Sequence, residues 1–465
     1  MKVLIMVLMS VFAGDVPDSL SGSAIQVERA QGDLSDQLNQ LAQQQNDGWL
    51  GYAVSIMDGN TQICCGESGG GCNLEGDQHW QTSRELEDGR DPSRQLLVFF
   101  KIKDGAPGQL RLFTDSCPIK AGSEPITWLT GVDEAASVSM LREFAQGKAS
   151  IGDAAIGALA MHAHESAFPN LAELAEGQAN TKAREKAIFW LGNLYREDGF
   201  QVLRRLALGD EDANIREKVT FGLSVSRQPE ARDLLMTMAR EDVAGKVRGQ
   251  ALFWLAHKGG PDVADFIVER LAGAESEKEI EGAVFALSQL PEGDGLPILA
   301  DLVRTSENEG VRGKALFWLA QKNGAGARET VLDCLKNDTS KKVREQAIFA
   351  LAHLKDGSGI NDLIRVAENH EDARIRGRAL FWLGQKAGAH IGETLKNAVN
   401  DDPDEEVKKQ AVFAISRLPK EESIAQLTDL VANHKSPAVR KQALFWLGQT
   451  GDPRALEVIK DILKK

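Results

Sequence analysis

The stretch Ala443-Leu-Phe-Trp-Leu-Gly-Gln449 decides the fold, because its Phe-Trp pair recurs through the C-terminal part of the chain at a constant spacing. Phe-Trp occurs five times at intervals of 64 residues, and a further Phe lies midway between successive copies. The phenylalanines therefore recur every 32 residues without an insertion or deletion: Phe189, Phe221, Phe253, Phe285, Phe317, Phe349, Phe381, Phe413 and Phe445. A fixed period of this length indicates a repeat architecture.

Other columns keep the same register. Two residues before each Phe the chain has Ala or, once, Val219, and five residues before it a basic residue, with Ile280 as the exception. The basic column is Arg184, Arg216, Arg248, Arg312, Arg344, Arg376, Lys408 and Arg440. The segment Ile151-Gly-Asp-Ala-Ala-Ile-Gly-Ala-Leu159 fits the frame as a degenerate tenth copy.

Each repeat is predicted to form two helices. In Val343–Leu354 the apolar residues follow the spacing of one buried helical face, and the segment Lys355-Asp-Gly-Ser-Gly359 then ends the helix. A second helix is predicted over Ile360–Glu368, and Gly451-Asp-Pro453 is the corresponding joint in the last repeat. Because a helix pair of this size cannot bury its apolar face alone, we predict an all-α fold for 147–465, a right-handed α-solenoid of about ten helix pairs.

The Val-Arg-x-x-Ala-x-x-x-Leu-Gly frame resembles bacterial HEAT repeats, also called PBS-lyase HEAT-like repeats. More narrowly, the chain is similar to exported bacterial HEAT-repeat proteins, whose N-terminal regions contain motifs found here as Trp49–Tyr52, Cys64-Cys65, Asp115–Ile119 and Trp128–Val132. The resemblance implies a surface for a protein or peptide partner. It places that surface on the second helices, such as Ile360–Glu368 and Ile424–Ala432.

Charge and cysteine separate an N-terminal region from the repeats. Residues 1–146 contain 10 basic and 20 acidic residues, whereas the remaining 319 contain 44 and 48. The net charge of −14 disfavours a nucleic-acid partner by repulsion, and no apolar run is long enough for a membrane span. We place the boundary near residue 146.

The first thirteen residues resemble a secretory signal peptide. Lys2 precedes an apolar run, and Val11-Phe-Ala13 provides small residues for cleavage before Gly14. The alternative is a buried N-terminal strand or helix. The signal would direct the protein to the periplasm or outside the cell.

Residues 14–146 are predicted to form a small α+β cap over the first repeat. A helix is expected over Asp33–Gln45, and strands over Trp49–Met57, Gln95–Lys101 and Gln109–Phe113. The segment Asp104-Gly-Ala-Pro-Gly108 should join the last two strands as a hairpin. Asp133–Phe144 would be the helix that adapts the cap to the repeats.

Four cysteines fall in the cap and one in the repeats. Cys64, Cys65, Cys72 and Cys117 suit two disulfides in an oxidising compartment, with the sequential pair bonding to different partners. A zinc site is the alternative, although the Cys-x2-Cys spacing is absent. Cys334 replaces an apolar residue of neighbouring repeats and is predicted to be a buried free thiol.

The aromatic and basic columns each allow two interpretations. Trp alternates with a small residue at one position, which predicts a core packing of large against small, or alternatively an indole-lined groove. The Phe column predicts an inter-repeat ladder, or an exposed stripe for a partner. The basic column is expected to pair with acids near the preceding turns, among them Asp210, Asp242, Asp338 and Asp402, rather than to form an anion track.

Catalytic motifs are not evident. Gly66-Glu-Ser-Gly-Gly70 has the letters of a nucleophile elbow but is followed by a Gly-rich loop, not by a helix. Deoxyhypusine hydroxylase builds an iron site on similar repeats from several His-Glu pairs. Here only His164-Glu165 and His370-Glu371 occur, at different places in the repeat, and phycobilin lyases offer no matching residues. We predict no enzymatic activity, no catalytic residues, no metal and no cofactor.

The sequence therefore favours an exported, protein-binding scaffold of the bacterial cell envelope. The alternative is an enzyme or enzyme-modifying protein, related to oxidoreductases or lyases, with a site in the Cys-containing region. An activity sensitive to reducing agents, or a metal in the purified protein, would favour the alternative.

The disulfide hypothesis predicts one free thiol in protein from its native compartment, namely Cys334. Thiol labelling under denaturing conditions followed by intact-mass measurement should count one label, because the four cysteines of the cap are oxidised. Five labels would contradict both the disulfides and much of the argument for export.

Overall fold

The computed structural model describes residues 16–463 apart from 22–23, 58–61, 66–71, 76–79, 84–93, 148, 178, 261, 275, 323, 325, 356 and 387–390. The predicted signal peptide at 1–13 and the segment Gly66–Gly70 lie outside the described residues, as do the side chains of Cys64 and Cys65.

The chain divides into two compact units, Met1–Leu234 and Leu235–Lys465, called here the N-terminal and C-terminal units. The boundary near 146 inferred from composition lies inside the N-terminal unit and remains a prediction. It falls between the helices Glu134–Ala145 and Ala149–Met161.

The N-terminal unit begins with three small sheets. Its strands are β1 Leu20–Ser21, β2 Ile25–Arg29, β3 Gly48–Ser55, β4 Gln62–Cys65, β5 Cys72–Asn73, β6 Trp80–Ser83, β7 Gln95–Lys103, β8 Ala106–Thr114, β9 Ile119–Lys120 and β10 Ile126–Thr130. The largest sheet has the order β2-β10-β3-β7-β8, and the others are β1-β9-β5 and β4-β6. The predicted strands are confirmed as β3, β7 and β8. Alternation does not reveal β10, because all five of its residues are buried.

The hairpin between β7 and β8 follows from Asp104-Gly105. Both residues have positive φ, 51° and 71°, as a two-residue turn matched to strand twist requires. The predicted turn is thus confirmed in a shorter form, since β8 already begins at Ala106.

Both faces of the five-stranded sheet are covered. On one face Trp49, Phe99 and Trp128 form the core with residues of the small β1-β9-β5 sheet. On the other face the Tyr52 hydroxyl lies 3.0 Å from Ser137 Oγ, and the Phe100 ring lies 5.2 Å from Phe144. Ser137 and Phe144 belong to the predicted adapting helix, which the structure has at Glu134–Ala145.

The cap also joins the first repeat through its backbone. The N–H of Met57 donates to the carbonyl of Met161 at 2.8 Å, and that of Ala163 donates to Ser55 at 2.9 Å. These bonds connect the end of β3 to the end of the helix Ala149–Met161, which contains the degenerate tenth repeat. The α+β region therefore covers the first repeat as predicted.

Most of the other described residues are helical. The helices are α1 Leu34–Gln45, α2 Glu134–Ala145, α3 Ala149–Met161, α4 Ala167–Glu176, α5 Thr181–Asn193, α6 Glu197–Gly209, α7 Ala213–Val225, α8 Glu230–Glu241, α9 Gly245–Lys258, α10 Val263–Ala272, α11 Glu277–Ser288, α12 Gly295–Thr305, α13 Glu309–Lys322, α14 Ala327–Asn337, α15 Lys341–Ala352, α16 Gly359–Asn369, α17 Ala373–Lys386, α18 Gly392–Asp401, α19 Glu405–Ile415, α20 Lys420–Asn433, α21 Pro437–Gln449 and α22 Pro453–Leu463. From α3 onward, odd-numbered helices are the first and even-numbered helices the second of each pair. None of the helices in the described ranges is long and apolar enough to cross a membrane.

This tandem order of helix pairs confirms the α-solenoid. The predicted joint in the last repeat is also observed. Gly451 has φ 63° and ends the first helix, and Asp452 Oδ1 accepts the N–H of Arg454 at 2.9 Å in the first turn of α22.

Successive first helices pack at two kinds of junction. Where a Trp-bearing helix meets the next one, the backbones approach closely at small residues. A Cβ added at Gly282 of α11 would lie 2.5 Å from Gly249 Cα of α9, and one at Gly384 of α17 would lie 2.7 Å from Ala414 Cα of α19. In the N-terminal unit, one at Gly192 would lie 2.6 Å from Gly222 Cα. The 64-residue period of the sequence therefore corresponds to close junctions that alternate with wider ones.

We predict opposite effects from two Gly-to-Ala changes in the C-terminal unit. Gly282→Ala should destabilise the α9–α11 junction by about 1–3 kcal/mol, because the new methyl meets backbone that cannot move aside. Gly377→Ala is the matched control, since its Cβ would meet only the Gln410 side chain, with Cγ at 3.5 Å and Cβ at 3.9 Å. Helix propensity should make it neutral or stabilising by about 0.5–1 kcal/mol.

Hydrogen exchange should show the Gly282→Ala loss as faster exchange in α9 and α11, because repeats contact mainly their neighbours. Equal protection of these helices in both variants would contradict the close junction.

Candidate functional site

Phenylalanines of the first helices stack across neighbouring repeats. In the C-terminal unit the ring centroids are 5.3 Å apart for Phe253–Phe285, 5.7 Å for Phe317–Phe349 and 5.4 Å for Phe381–Phe413, with interplanar angles of 2°, 23° and 9°. In the N-terminal unit Phe189 and Phe221 stack in the same way, at 5.5 Å and 3°. The predicted inter-repeat ladder is therefore confirmed. The six rings of the C-terminal unit are only half-buried, so the ladder is also a surface.

The tryptophans occupy the wider junctions. Trp318, Trp382 and Trp446 pack against the Phe of the preceding first helix, with centroids 4.8, 4.8 and 5.1 Å from Phe285, Phe349 and Phe413. The prediction of core tryptophans facing small residues is wrong for these three, because the small residues are already used in the close junctions. All three indoles are half-buried.

Trp190 differs from these three because the preceding first helix has no Phe at the equivalent position. Gly157 takes the Phe position in α3, and its added Cβ would lie 3.2 Å from the Trp190 ring. Trp190 is consequently 5% exposed and does belong to the core.

We call the aromatic residues of the C-terminal unit the aromatic ladder: Phe253, Trp254, Phe285, Phe317, Trp318, Phe349, Phe381, Trp382, Phe413, Phe445 and Trp446. Phe445, on the last first helix, is 54% exposed. Cationic and imidazole side chains lie against some rings of the aromatic ladder. The Arg417 guanidinium is 5.2 Å from the Phe413 centroid, and the His353 ring is 4.0 Å from Phe349.

Two pockets open along the ladder. One has a volume of about 550 Å³ and lies among Phe285, Phe317 and Phe349 of three successive first helices. The other, of about 410 Å³, lies beside Phe381 and reaches Gln410. Both are lined by first helices.

Glutamines flank the ladder on both sides. Gln250, Gln346, Gln410 and Gln442 lie three residues before a ladder Phe, and Gln289, Gln321, Gln385 and Gln449 lie four residues after one. Residues at these spacings share the helical face of the Phe. The sequence analysis missed them, although the 32-residue frame contained the signal.

The side chains of the basic column bind acidic side chains and backbone carbonyls of the repeats. Arg312 donates to both oxygens of Asp338 at 2.7 and 3.0 Å, and Arg376 to those of Asp402 at 2.8 and 2.9 Å. Arg184 pairs with Asp210 in the N-terminal unit. The predicted ion pairs are confirmed with a correction, since these acids belong to the following turn. The preceding turn supplies backbone carbonyls instead, for example that of Ser306 to Arg312 at 2.9 Å.

The one interruption of the column is compensated locally. Ala274 stands where the partner of Arg248 would be, 26 residues later. Arg248 bonds instead to Glu279, which is 1% exposed and also accepts from Arg270 at 3.1 Å. Glu279 adjoins Ile280, the one non-basic residue of the column.

The aspartates paired with the basic column, Asp338 and Asp402, are held ionised by their hydrogen-bond donors. Burial tends to raise the pKa of Asp338, but hydrogen bonds from Arg312 and from the N–H of Ser340 outweigh it and hold that pKa below its usual range. The same balance, with Arg376 and the N–H of Asp404, lowers the pKa of Asp402. Because the guanidiniums are engaged in this way, the column does not form an anion track.

The predicted disulfide residues lie in one neighbourhood of the cap. Cys72 and Cys117 are buried, and the N–H of Cys72 donates to the carbonyl of Pro118 at 2.8 Å. Cys117 Sγ is 2.9 Å from the carbonyl oxygen of Ile63, the residue before Cys64. Pairing with Cys64 and Cys65 remains a prediction.

Cys334 is a buried free thiol, as predicted. Burial raises its pKa to about 12, and the nearby carboxylate of Asp338 adds to the effect. A thiol with so high a pKa is not a nucleophile at neutral pH.

Histidines meet where the cap joins the first repeat. His162 is buried, its Nδ1 accepts the N–H of His164 at 3.2 Å, and its Nε2 has no hydrogen-bond partner among the described residues. Burial lowers the pKa of His162 to about 4, against the opposing attraction of Glu134. His164 Nδ1 lies 2.8 Å from Ser166 Oγ, a local contact in the same turn.

The two His-Glu pairs lie in different units. His370 Nδ1 accepts the N–H of Asp372 at 3.1 Å, which is a turn contact at the start of α17. His164 lies in the N-terminal unit, near the cap. Across the described part of the chain, no three His, Cys, Asp or Glu residues are grouped so as to hold a metal ion.

Comparison with known proteins identifies the repeat. A family model described as HEAT repeats matches residues 168–251 and 392–465. These two segments are therefore similar to HEAT repeats, as the Val-Arg-x-x-Ala frame indicated. No curated protein matches the sequence significantly.

Solved structures are similar to parts of this chain at low identity. The karyopherin Kap121p, in a complex with the extreme C-terminus of the phosphatase Cdc14p, is 12% identical over 68% of this chain and 45% of its own, with a TM-score of 0.36. YibA of Escherichia coli is 18% identical over 61% of this chain and 97% of its own (TM-score 0.31). Human deoxyhypusine hydroxylase is 18% identical over 54% and 96% (TM-score 0.25). The chain spans less than half the length of the Kap121p chain it matches.

We predict that His162 makes the N-terminal unit sensitive to mild acid. With a folded pKa of about 4 and an unfolded value near 6.5, its contribution to stability is complete above pH 6.5 and is lost as the pH falls towards 4. Between pH 7 and 5, where carboxylates stay ionised, the loss should be about 2 kcal/mol.

The measurement is the pH dependence of hydrogen exchange in β3 and α3. His162→Gln should flatten the profile, and His370→Gln, in the C-terminal unit, should leave it unchanged. Parallel profiles for the natural protein and His162→Gln would contradict the assignment.

Proposed function

We propose that this HEAT-repeat chain is a protein-binding scaffold that engages its partner through the aromatic ladder. The observation that carries the proposal is a continuous row of half-buried aromatic rings on the first helices of the C-terminal unit. Partly exposed Phe and Trp are the residues that protein interfaces favour, because they bury large areas with few rotatable bonds.

The place of the surface differs from the one that the resemblance implied. The second helices direct their apolar residues into the stack: in α16 Leu363 and Ala367 are buried, and in α20 Leu427 and Leu430. The first helices, in contrast, bury Ala and Leu on one side and still present Phe and Trp at the surface. We therefore assign the partner to the first helices.

The ladder is held in place before a partner arrives. Each ladder Phe of the three stacked pairs is fixed by the ring of the neighbouring repeat, and ion pairs such as Arg312–Asp338 connect the same neighbours. A surface that is ordered in advance loses little conformational entropy on binding. This favours specific recognition over transient adhesion.

We further propose that the scaffold acts in the bacterial cell envelope, in the periplasm or outside the cell, and catalyses no reaction. Export is supported by the apolar stretch after Lys2 and by the four cysteines of the cap. The non-catalytic role is supported by the absence from the sequence of the catalytic motifs sought above. The thiol count tests the export part independently of the binding part.

The binding proposal predicts that ladder variants lose a partner. Phe317→Ser and Phe445→Ser should each lower the amount of partner crosslinked to the full-length protein in its native cells by at least tenfold. This estimate follows because truncating an aromatic anchor typically costs about 2 kcal/mol or more. Mass spectrometry of the captured proteins identifies what is lost.

Leu456→Ser is the matched control. Leu456 is 54% exposed, as Phe445 is, and lies in the last helix pair, but on the second helix. Circular dichroism should show that all three variants remain folded. Capture that depends on Leu456 and not on Phe317 or Phe445 would place the surface on the second helices and contradict the proposal.

A further inference from the structure

The two ladder pockets share part of their lining, although Phe285, Trp318 and Phe349 line only the first. Their linings correspond at a spacing of 64 residues: Gly313, Phe317 and Gln346 in the first pocket, Gly377, Phe381 and Gln410 in the second. A Gly on the Trp-bearing helix leaves room for the Gln of the next helix, and a Cβ at Gly313 would collide with Gln346 Oε1. A partner with a repeating structure could therefore occupy both pockets in the same way.

The aromatic rings offer edges to an occupant. One face of Phe349 is covered by Phe317, with centroids 5.7 Å apart, while His353 and Trp382 lie against it at 4.0 and 4.8 Å. Phe285 lies between Phe253 and Trp318 at 5.3 and 4.8 Å. A sugar ring needs a free aromatic face on which to stack, whereas aliphatic and aromatic side chains pack against ring edges. The geometry favours a peptide over a glycan.

Two buried polar atoms on the ladder face lack partners. Gln346 Oε1 is buried in the first pocket and accepts no hydrogen bond from the described residues. The indole N–H of Trp446, further along the face, likewise finds no acceptor among them. An unpaired buried group costs free energy that a ligand can recover. A peptide main chain supplies both needs, because it offers an N–H donor and a carbonyl acceptor at each residue.

The charges around the pockets nearly balance. Glu281 and Lys314 line the first pocket, and Arg378 lies 3.6 Å from Glu345 at the second. The second is also lined by Arg374, Asp404 and Glu406, which leaves one negative charge in excess. Because the opposite charges of each rim nearly cancel, the rims are complementary to an uncharged side chain and offer no excess counterion to a buried charge.

We propose that the ladder binds an extended, uncharged peptide segment that places one apolar side chain in each pocket. Gln346 and Gln410 hydrogen-bond to its main chain. The inference rests on the proposed function and specifies the partner's chemistry. Two repeats separate the pockets, roughly 16–20 Å at 8–10 Å per packed helix. An extended chain advances about 3.3 Å per residue, so the two apolar residues should be five or six positions apart.

The test uses the full-length chain and a phage-displayed library of random 16-residue peptides. Enriched peptides should share two apolar residues at this spacing, with few charges between them. As a synthetic peptide, a selected sequence should bind at least tenfold more weakly when its second apolar residue is moved by two positions.

The glutamines are tested with the same synthetic peptide. The double variant Gln346→Met/Gln410→Met keeps the side-chain length and removes the amides. Affinity should fall about thirtyfold, because two hydrogen bonds of about 1 kcal/mol each are lost. Gln426→Met is the matched control, because Gln426 Oε1 is also without a partner among the described residues but lies on the second helix α20.

Three results would overturn the inference: no enriched peptide, enrichment without a common spacing, or affinity unaffected by the two Gln changes. Binding of the chain to a panel of immobilised glycans that is lost in Phe317→Ser would assign the ladder to sugars instead. If crosslinked capture still depends on Phe317 and Phe445, the scaffold function stands and only the peptide inference fails.

Discussion

The close approach of neighbouring backbones at alternate junctions is the constraint on which the rest of the repeat structure depends. It requires residues without a bulky side chain at Gly249 and Gly282, and at Gly384 and Ala414. When two first helices lie this close, their phenylalanines are brought into parallel stacking. The next junction cannot close in the same way, because a Trp occupies it. One steric requirement thus sets both the 64-residue period and the arrangement of the rings.

The same constraint explains why aromatic residues remain at the surface. The stacked phenylalanines lie on the rim of the helix interface, where one ring covers another but leaves the edges in contact with solvent. Deeper burial of the phenylalanine rings would need space between the two helices. The close contacts at Gly and Ala leave no such space. The ladder is therefore a product of tight packing beneath it.

The sequence predicted what a fixed period can determine and missed what depends on which neighbour a residue meets. The 32-residue frame predicted the helix pairs, the Phe ladder, the buried Cys334 and the pairing of the basic column. Periodicity does not distinguish the preceding from the following repeat, so the tryptophans and the acid partners were assigned to the wrong neighbour. In the cap, β10 was missed because a strand buried on both faces shows no alternation. The flanking glutamines were missed because polar residues on a helix surface usually have no specific partner.

The two-repeat period also affects how a partner can be recognised. If every junction were alike, a ligand could shift by one repeat without losing contacts, and its position would be undefined. Alternation of close and Trp-filled junctions doubles the distance between equivalent pockets, so a shift by one repeat would move a side chain away from the Gly and Gln positions that both pockets share. Ion pairs at the close junctions, such as Arg312–Asp338 and Arg376–Asp402, fix the spacing further. For the proposed peptide, register would therefore be specified by packing beneath the surface, and polar groups on the surface would select the chemistry of the segment.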